Sequence, residues 1–182
     1  MYNISKKFNL EYGHRVHLQK LNSKYSCDCE CACRHFHGHS GICEVHLSSK
    51  KLTNSMVTDF KHLNFFKKWI DDTLDHKFLI DINDPIFKYE FTECSDLIDC
   101  KTHKIFDTSK IKYPENATDA EKDAIFEKYE GMIIVDFCPT SENICKWIYD
   151  FVKEEMKELA EVTKVEWWET AKSHCEYYET KK

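Results

Sequence analysis

Two histidines separated by one residue, His37 and His39, are the pattern that most directly indicates metal chemistry. Residues i and i+2 of a β-strand point to the same face, so both imidazoles can bind one ion. His14 ends an earlier alternating segment and comes beside them if the two segments pair as antiparallel strands joined by residues 15–36. Three neutral nitrogen ligands leave one tetrahedral position open on zinc, as in catalytic sites. The sequence therefore predicts a catalytic zinc site.

An isolated His-Gly-His can also be a polar turn, but the in-phase alternation of both flanking segments favours the metal interpretation.

A row of cysteines precedes the paired histidines. Cys27, Cys29, Cys31 and Cys33 lack the gaps of about two to four residues found in zinc fingers, so a structural four-thiolate site is an alternative only. Cys33 stands four residues before His37, where a nearby cation can lower the pKa of a thiol. We therefore single out Cys33 as the reactive thiol.

Two acidic positions are further candidates. Asp75 and His76 place a carboxylate beside an imidazole, a pair able to transfer a proton near neutral pH. Glu169 continues the apolar row of Val165 and Trp167, so its carboxylate is expected to be partly buried. A buried carboxylate needs a hydrogen-bonding partner, which a ligand can supply. The alternative for Glu169 is an exposed glutamate at the end of a strand.

The elements that position these residues follow from apolar periodicity. Alternation predicts strands over residues 4–14, 37–47, 165–170 and 175–178. A helix is predicted from an Asp59 N-cap to about Asp75, and another from Pro139-Thr140-Ser141-Glu142-Asn143, where Thr or Ser can cap. The positions expected to be buried in the two helices are Phe60, Leu63, Phe66, Ile70 and Leu74, then Ile144, Trp147, Ile148, Phe151, Val152 and Leu159.

The order of these elements predicts an α+β fold. It is a four-stranded antiparallel sheet with two helices on one face, in a single domain over residues 1–182. Residues 15–36 form a long cysteine-rich loop. Residues 77–138 contain turn signals and one polar helix at about 119–129, and we interpret the part at about 82–131 as an insertion.

Composition excludes several classes of function. The chain has 26 Lys and Arg against 32 Asp and Glu, a net charge of −6, and no cationic cluster that would favour nucleic acid or an anionic membrane as a partner. None of its four glycines falls in a phosphate-binding loop pattern. No apolar stretch is long enough to cross a bilayer, and the amino terminus lacks a signal-peptide core. We expect a cytoplasmic protein whose ten cysteines serve metal binding or catalysis.

Taken together, the motifs resemble the 6-pyruvoyl-tetrahydropterin synthase and 6-carboxytetrahydropterin synthase (QueD) family. The matching segments, in the family's order, are Gly13-His14-Arg15, Cys33-Arg34-His35-Phe36-His37-Gly38-His39, Val57-Thr58-Asp59-Phe60, Leu74-Asp75-His76, Pro139-Thr140-Ser141-Glu142-Asn143, and Glu169-Thr170 followed by Tyr177. The resemblance implies the tunnelling fold (T-fold), in which four-stranded sheets of several protomers join into an oligomeric barrel. It also implies a trimer or hexamer with active sites between subunits.

The branch of the family is indicated by the gap between the thiol and the paired histidines. Cys-x-x-x-His-Gly-His, as here, resembles the carboxytetrahydropterin enzymes, and so does Asp59-Phe60. The implied reaction converts 7,8-dihydroneopterin triphosphate into 6-carboxy-5,6,7,8-tetrahydropterin, acetaldehyde and triphosphate, on the route to queuosine and other 7-deazaguanines. The alternatives are a 6-pyruvoyl-tetrahydropterin synthase and a non-catalytic zinc-binding interaction protein.

The resemblance also implies roles for individual residues. His14, His37 and His39 would hold Zn2+, Cys33 would be the general base, and Asp75 with His76 would return a proton on the other face. The residues implied in pterin binding are Glu169, Thr140, Ser141 and Glu142.

Other positions depart from the family or have no role implied by it. Tyr12 stands where the family usually has a small residue, and Gly41 replaces a common bulky one. Arg15 and Lys77 are candidates for binding the triphosphate by position and charge.

Overall fold

The computed structural model of the protein describes residues 1–26 and 30–180. The α+β class is confirmed, but the described residues form eight strands instead of the predicted four, together with four α-helices. In chain order the elements are β1 (Tyr2–His14), β2 (His37–Ser49), α1 (Asn64–Thr73), β3 (Lys77–Asp81), α2 (Phe87–Glu90), β4 (Leu97–Asp99), β5 (Lys104–Phe106), α3 (Asp119–Glu130), β6 (Met132–Val135), α4 (Ser141–Met156), β7 (Glu161–Thr170) and β8 (Ser173–Tyr177).

The chain divides into two compact units. The first comprises Met1–Tyr12, Gly38–Asp75 and the described residues from Thr140 onward. Its strands lie in the order β1-β2-β7-β8. Strands β2 and β7 are antiparallel, with Val45 opposite Val165, and β7 and β8 are also antiparallel. This unit contains the four predicted strands and the two helices predicted to cover the sheet.

Two side-chain contacts show the relative direction of β1 and β2. The Ser5 hydroxyl donates to Glu44 Oε1 at 2.6 Å, and the Ser40 hydroxyl donates to Glu11 Oε2 at 2.8 Å. Contacts that advance along one strand while receding along the other are those of antiparallel neighbours. The end of β1 therefore lies at the start of β2, as the sequence predicted.

Helices α1 and α4 cover one face of the sheet of this first unit. Phe66 of α1 is fully buried, with its ring edge-on to that of Phe8 of β1 and the two ring centroids 5.0 Å apart. The two helices contact each other through Trp69 and Trp147, whose ring centroids are 5.1 Å apart. The alternation seen in the sequence therefore corresponds to a buried face and a polar face.

Two of the predicted buried helix positions are wrong. The Asp59 side chain caps a short 3₁₀ helix, Phe60–Leu63, by accepting from the Lys61 N–H at 2.7 Å, and α1 begins only at Asn64. A 3₁₀ turn has three residues per turn, which takes Phe60 off the buried stripe and leaves it 49% exposed. Leu159 is 50% exposed because α4 has already ended at Met156.

The second unit comprises Gly13–His37 and His76–Pro139. Strands β3 and β6 pair in parallel, with Leu79 opposite Ile133 and Ile80 opposite Ile134. Strand β5 is antiparallel to both β4 and β6. Parallel neighbours require a crossover connection, and the residues that we interpreted as an insertion supply it. The four unpredicted strands all belong to this unit.

The crossover has an apolar core of its own. The buried members of this core are Ile80, Phe91, Cys94, Phe106, Ile111, Tyr129 and Ile134. Helix α3 matches the polar helix predicted at about 119–129 and begins with a capping box, in which Thr118 accepts from the Glu121 N–H and Glu121 accepts from the Thr118 N–H.

Contacts with two buried carboxylates hold the loop that follows β1 within the second unit. His17 Nε2 lies 2.9 Å from Asp81 Oδ2, and both side chains are buried. Arg15 Nε donates to Asp84 Oδ2 at 2.7 Å. Just before them, a Cβ atom on Gly13 would lie 2.3 Å from a ring carbon of Phe78, so the ring would have to move to admit any side chain there.

A search of the described helices finds no segment long and apolar enough to span a membrane.

Replacement of Phe66 tests the packing of α1. Phe66→Ala should lower the free energy of unfolding by about 3–5 kcal/mol, because it leaves a cavity among Phe8, Trp69 and Phe151. Phe60→Ala is the matched control and should cost about 1 kcal/mol or less, because its ring is half exposed. Urea unfolding measures both. Equal losses in the two variants would contradict this arrangement of the helix.

Candidate metal centre

His14 is the last residue of β1, and its side chain is fully buried. Its Nδ1 lies 2.7 Å from the backbone carbonyl oxygen of Pro139. A carbonyl oxygen can only accept a hydrogen bond, so Nδ1 carries a proton, and in the neutral imidazole Nε2 then carries the lone pair. The backbone therefore sets the tautomer that a metal ligand needs.

His37 is the first residue of β2 and is oriented in the same way. Its Nδ1 lies 2.8 Å from the carbonyl oxygen of His35, so its Nε2 also carries a lone pair. The Nε2 atoms of His14 and His37 are only 3.1 Å apart. Two lone pairs at that distance repel unless a cation or a shared proton lies between them. Two nitrogens bound tetrahedrally to zinc at about 2.0–2.1 Å are about 3.3 Å apart, close to this distance.

His39 follows two residues later on the same face of β2. One ligand atom each from His14, His37 and His39 lie within 4.8 Å of one another. The structure thus brings together the three histidines that the sequence predicted. Three imidazoles, two of them with an Nε2 lone pair fixed by a backbone carbonyl, are a donor set that suits zinc.

Glu169, near the end of β7, lies beside His39. Its Oε1 is 3.6 Å from His39 Nε2, longer than a hydrogen bond, and its side chain is 26% exposed. Tyr12 is also close, with its ring centroid 5.7 Å from that of His39. Burial, and then the charge of Glu169, raise the pKa of this phenol well above its ordinary value. Glu169 is therefore a partly buried carboxylate beside a candidate metal ligand, and Tyr12 is a neutral phenol.

Asp75 and His76 directly follow α1. The backbone N–H of Glu11, on β1, donates to Asp75 Oδ1 at 2.8 Å, which ties this carboxylate to the strand that carries His14. His76 has a φ of 57°, in the left-handed region that residues with a side chain seldom adopt. Such strained residues are concentrated at functional sites.

Cys33 lies on a short 3₁₀ helix, Ala32–Arg34, before β2. Its carbonyl oxygen accepts from the Val16 N–H at 2.9 Å, which fixes this helix to the residues that follow β1. The Cys31 and Cys33 Sγ atoms are 3.2 Å apart. Cys27 and Cys29, the remaining members of the predicted cysteine row, lie outside the described residues.

The predicted substrate-binding residues at the start of α4 lie on its first turn. Thr140 is the N-cap, as its side chain accepts from the Asn143 N–H at 3.3 Å. Ser141 is half-buried and Glu142 is exposed. Part of the signal at this segment is therefore explained by helix capping.

Arg15 and Lys77 are already engaged by protein groups. Besides Asp84, Arg15 donates to the carbonyl oxygen of Arg34 at 2.7 Å, and the Lys77 ammonium donates to the carbonyl oxygen of Glu130 at 3.1 Å. A triphosphate would have to compete with these partners.

A second group of metal-ligand types, absent from the sequence-based prediction, lies across β2 and β7. It comprises Glu44, His46 and Glu166. The Lys164 ammonium lies 2.6 Å from Glu166, and the Lys7 ammonium lies 3.4 Å from Glu44, so lysines neutralise both carboxylates. The signal for this group was the antiparallel register, which pairs Glu44 with Glu166 and cannot be deduced from spacing alone.

Comparison with known proteins places these residues in a family. A 6-carboxy-5,6,7,8-tetrahydropterin synthase of Aquifex aeolicus (strain VF5) is 35% identical, with 97% of each chain covered. The crystal structure of an uncharacterized protein from Wolinella succinogenes matches with a TM-score of 0.90 at 40% identity over 98% of both chains. A Plasmodium vivax 6-pyruvoyltetrahydropterin synthase matches in fold alone, with a TM-score of 0.57 at 13% identity over 98% of this chain and 97% of that one.

The family model for 6-pyruvoyl tetrahydropterin synthase matches residues 3–180, almost the whole chain. The protein therefore belongs to the 6-pyruvoyl tetrahydropterin synthase family.

Proposed function

We propose that the protein is a zinc-dependent 6-carboxy-5,6,7,8-tetrahydropterin synthase. It would convert 7,8-dihydroneopterin triphosphate and one water into 6-carboxytetrahydropterin, acetaldehyde and triphosphate. The 3.1 Å approach of the His14 and His37 Nε2 atoms carries the metal part of this proposal. The name of the Aquifex aeolicus relative supports the carboxy product, and Cys-x-x-x-His-Gly-His agrees with it.

The metal-binding role falls to His14, His37 and His39. When bound, zinc supplies a Lewis acid that lowers the pKa of the substrate's side-chain hydroxyls. The carbonyl oxygens of Pro139 and His35 keep the Nδ1 atoms of His14 and His37 protonated, so the ligand nitrogens are held ready.

Proton transfer falls to Cys33, Asp75 and His76. Cys33 would take a proton from the substrate side chain as its thiolate, and Asp75 with His76 would return one on the other face. The hydrogen bond from the Glu11 N–H keeps Asp75 in place for that role, and the left-handed backbone of the adjacent His76 is of the kind found at functional sites.

Substrate orientation falls to Glu169. Its carboxylate would accept hydrogen bonds from the amino and ring N–H groups of the pterin, a charge-assisted contact that fixes the ring. Thr140, Ser141 and Glu142, at the start of α4, would assist. The 26% exposure of Glu169 leaves it accessible to a ligand.

The proposed assembly is a homo-oligomeric barrel, a trimer or hexamer with its active sites between subunits, in the cytoplasm. Family membership supports this assembly. The single catalytic domain over residues 1–182, with a cysteine-rich loop at 15–36 and an insertion at about 82–131, stays a prediction.

A 6-pyruvoyl-tetrahydropterin synthase is the second candidate, because the family model bears that description. It would share the substrate and the metal but would stop after triphosphate elimination and internal redox. A non-catalytic zinc-binding protein, with metal held by the cysteine row, is the third.

Product analysis tests the reaction. The purified, zinc-loaded protein should release acetaldehyde from 7,8-dihydroneopterin triphosphate in a 1:1 ratio with 6-carboxytetrahydropterin, because cleavage of the side chain must produce both together. Mass spectrometry of the pterin and trapping of the aldehyde measure the two products. A pyruvoyl product without acetaldehyde would establish the second candidate instead.

Metal stoichiometry tests the ligand set. His37→Ala should lose bound zinc and turnover, since it removes one of two closely facing Nε2 atoms. His46→Ala, in the second group, and Cys29→Ala should each retain one zinc per chain. Atomic absorption on dialysed protein gives the count. Loss of zinc in Cys29→Ala alone would support the third candidate.

Two cysteine variants test the general base. Cys33→Ala should lower turnover by at least about 100-fold while leaving zinc bound, because the thiol is proposed to move a proton and not to hold the metal. Cys31→Ala, with its sulfur 3.2 Å away, is the matched control and should remain active. Full activity of Cys33→Ala would move the role to Cys27, Cys29 or Cys31.

A further inference from the structure

Tyr12 is a buried phenol next to one of the metal-ligand histidines. It stands two residues before His14 on β1 and is only 4% exposed. Its ring centroid lies 5.7 Å from that of His39, with 40° between the ring planes. The phenol ring of Tyr12 is therefore a direct neighbour of the His39 imidazole and limits the orientations open to it.

Trp167 holds the Tyr12 ring from one side. The Trp167 Nε1–H donates to Tyr12 Oη at 3.2 Å, and the two rings meet edge to face with centroids 5.0 Å apart. Trp167 is fully buried in β7. A buried indole N–H costs free energy unless it is hydrogen-bonded, so this pair resists rotation of the Tyr12 ring.

Gly41 bounds the Tyr12 ring from β2. A Cβ atom built on Gly41 would lie 3.0 Å from Tyr12 Cε1 and 3.3 Å from Cδ1. These distances are shorter than ordinary carbon contacts, so the phenol ring occupies the space left by the missing side chain. Any larger residue at this position would displace the ring.

We propose that Tyr12, confined by Trp167 and Gly41, is a positioning residue that fixes the His39 imidazole for metal binding. This inference rests on the proposed metal function. A confined neighbouring ring removes orientations from the imidazole before the metal arrives, so less conformational entropy is lost on binding. Tyr12 acts through His39 and does not itself touch the metal.

Metal affinity and a cobalt spectrum test the role of Tyr12. Tyr12→Ala should weaken zinc binding by about 10–100-fold, in the range of losses when residues that orient metal ligands are removed. It should also shift the ligand-field absorption bands of the Co2+-substituted protein, which report ligand geometry. Tyr12→Phe keeps the ring and should weaken binding by less than about 10-fold. Competition with a chromogenic chelator measures affinity.

Tyr149→Ala is the matched control. Tyr149 is another buried tyrosine of the same unit, with its hydroxyl donating to the Val162 carbonyl oxygen at 3.4 Å and its ring edge-on to Tyr177. It loses comparable packing and one hydrogen bond but contacts none of the three histidines in these interactions. Its zinc affinity and cobalt spectrum should equal those of the wild type.

A double-mutant cycle separates the effect of the Tyr12 ring on zinc binding from a general loss of stability. Gly41→Ala should weaken zinc binding in the wild-type background, because its Cβ displaces the Tyr12 ring. In the Tyr12→Ala background the same change should have little further effect, since the two ring atoms it would crowd are gone and the Trp168 carbonyl oxygen, at 3.4 Å, is in ordinary contact. This dependence on background is a result that loss of stability alone does not produce.

Wild-type affinity and an unchanged cobalt spectrum in both Tyr12→Ala and Gly41→Ala would overturn the inference. If Tyr12→Ala does not fold, Gly41→Ala decides in its place, since it displaces the same ring. A wild-type protein that binds no zinc, or zinc binding that survives His37→Ala, would overturn the metal site itself and this inference with it. The two failures are therefore distinguishable.

Discussion

The close approach of two acceptor nitrogens is the constraint on which the candidate site depends. The Nε2 atoms of His14 and His37 are 3.1 Å apart, and each has its lone pair set by a carbonyl bound to the other nitrogen of its ring. Without a positive charge between them this arrangement is repulsive. With both rings neutral, the carbonyls of Pro139 and His35 leave two acceptor nitrogens facing each other, which a bound cation or a shared proton would satisfy.

The fold places the imidazoles and carboxylates of the candidate site at the ends of its strands and helices, and apolar side chains along their lengths. The three histidines of the candidate metal site stand at the end of β1 and the start of β2, Asp75 follows α1, and Glu169 is near the end of β7. Strand interiors such as Val45 and Val165 face the helices and form the core. Packing can therefore be optimised in one place and the site in another, which is how folds of one family support related reactions.

Local periodicity predicted the elements whose two faces differ in polarity. Strands β1, β2 and β7 and helices α1 and α4 were found in this way, and so was the convergence of the three histidines. Strands β3 and β6 were missed because Leu79–Ile80 and Ile133–Ile134 are continuous apolar runs, which do not distinguish a buried strand from other buried segments. The contact of Tyr12 with Trp167 joins residues 155 apart, so no local pattern indicates it.

The length of the segment from the 3₁₀ helix at Ala32–Arg34 to the start of β2 sets how far Cys33 lies from His37 along the chain. At the end near β2, the carbonyl oxygen of His35 orients the His37 ring. At the other end, the carbonyl oxygen of Cys33 accepts a hydrogen bond from the Val16 N–H. Lengthening the chain between these anchors would relocate the thiol while leaving the imidazole in place. Under the proposed chemistry, an insertion in this segment would change the position of the general base, and so the product, while the metal ligands stay the same.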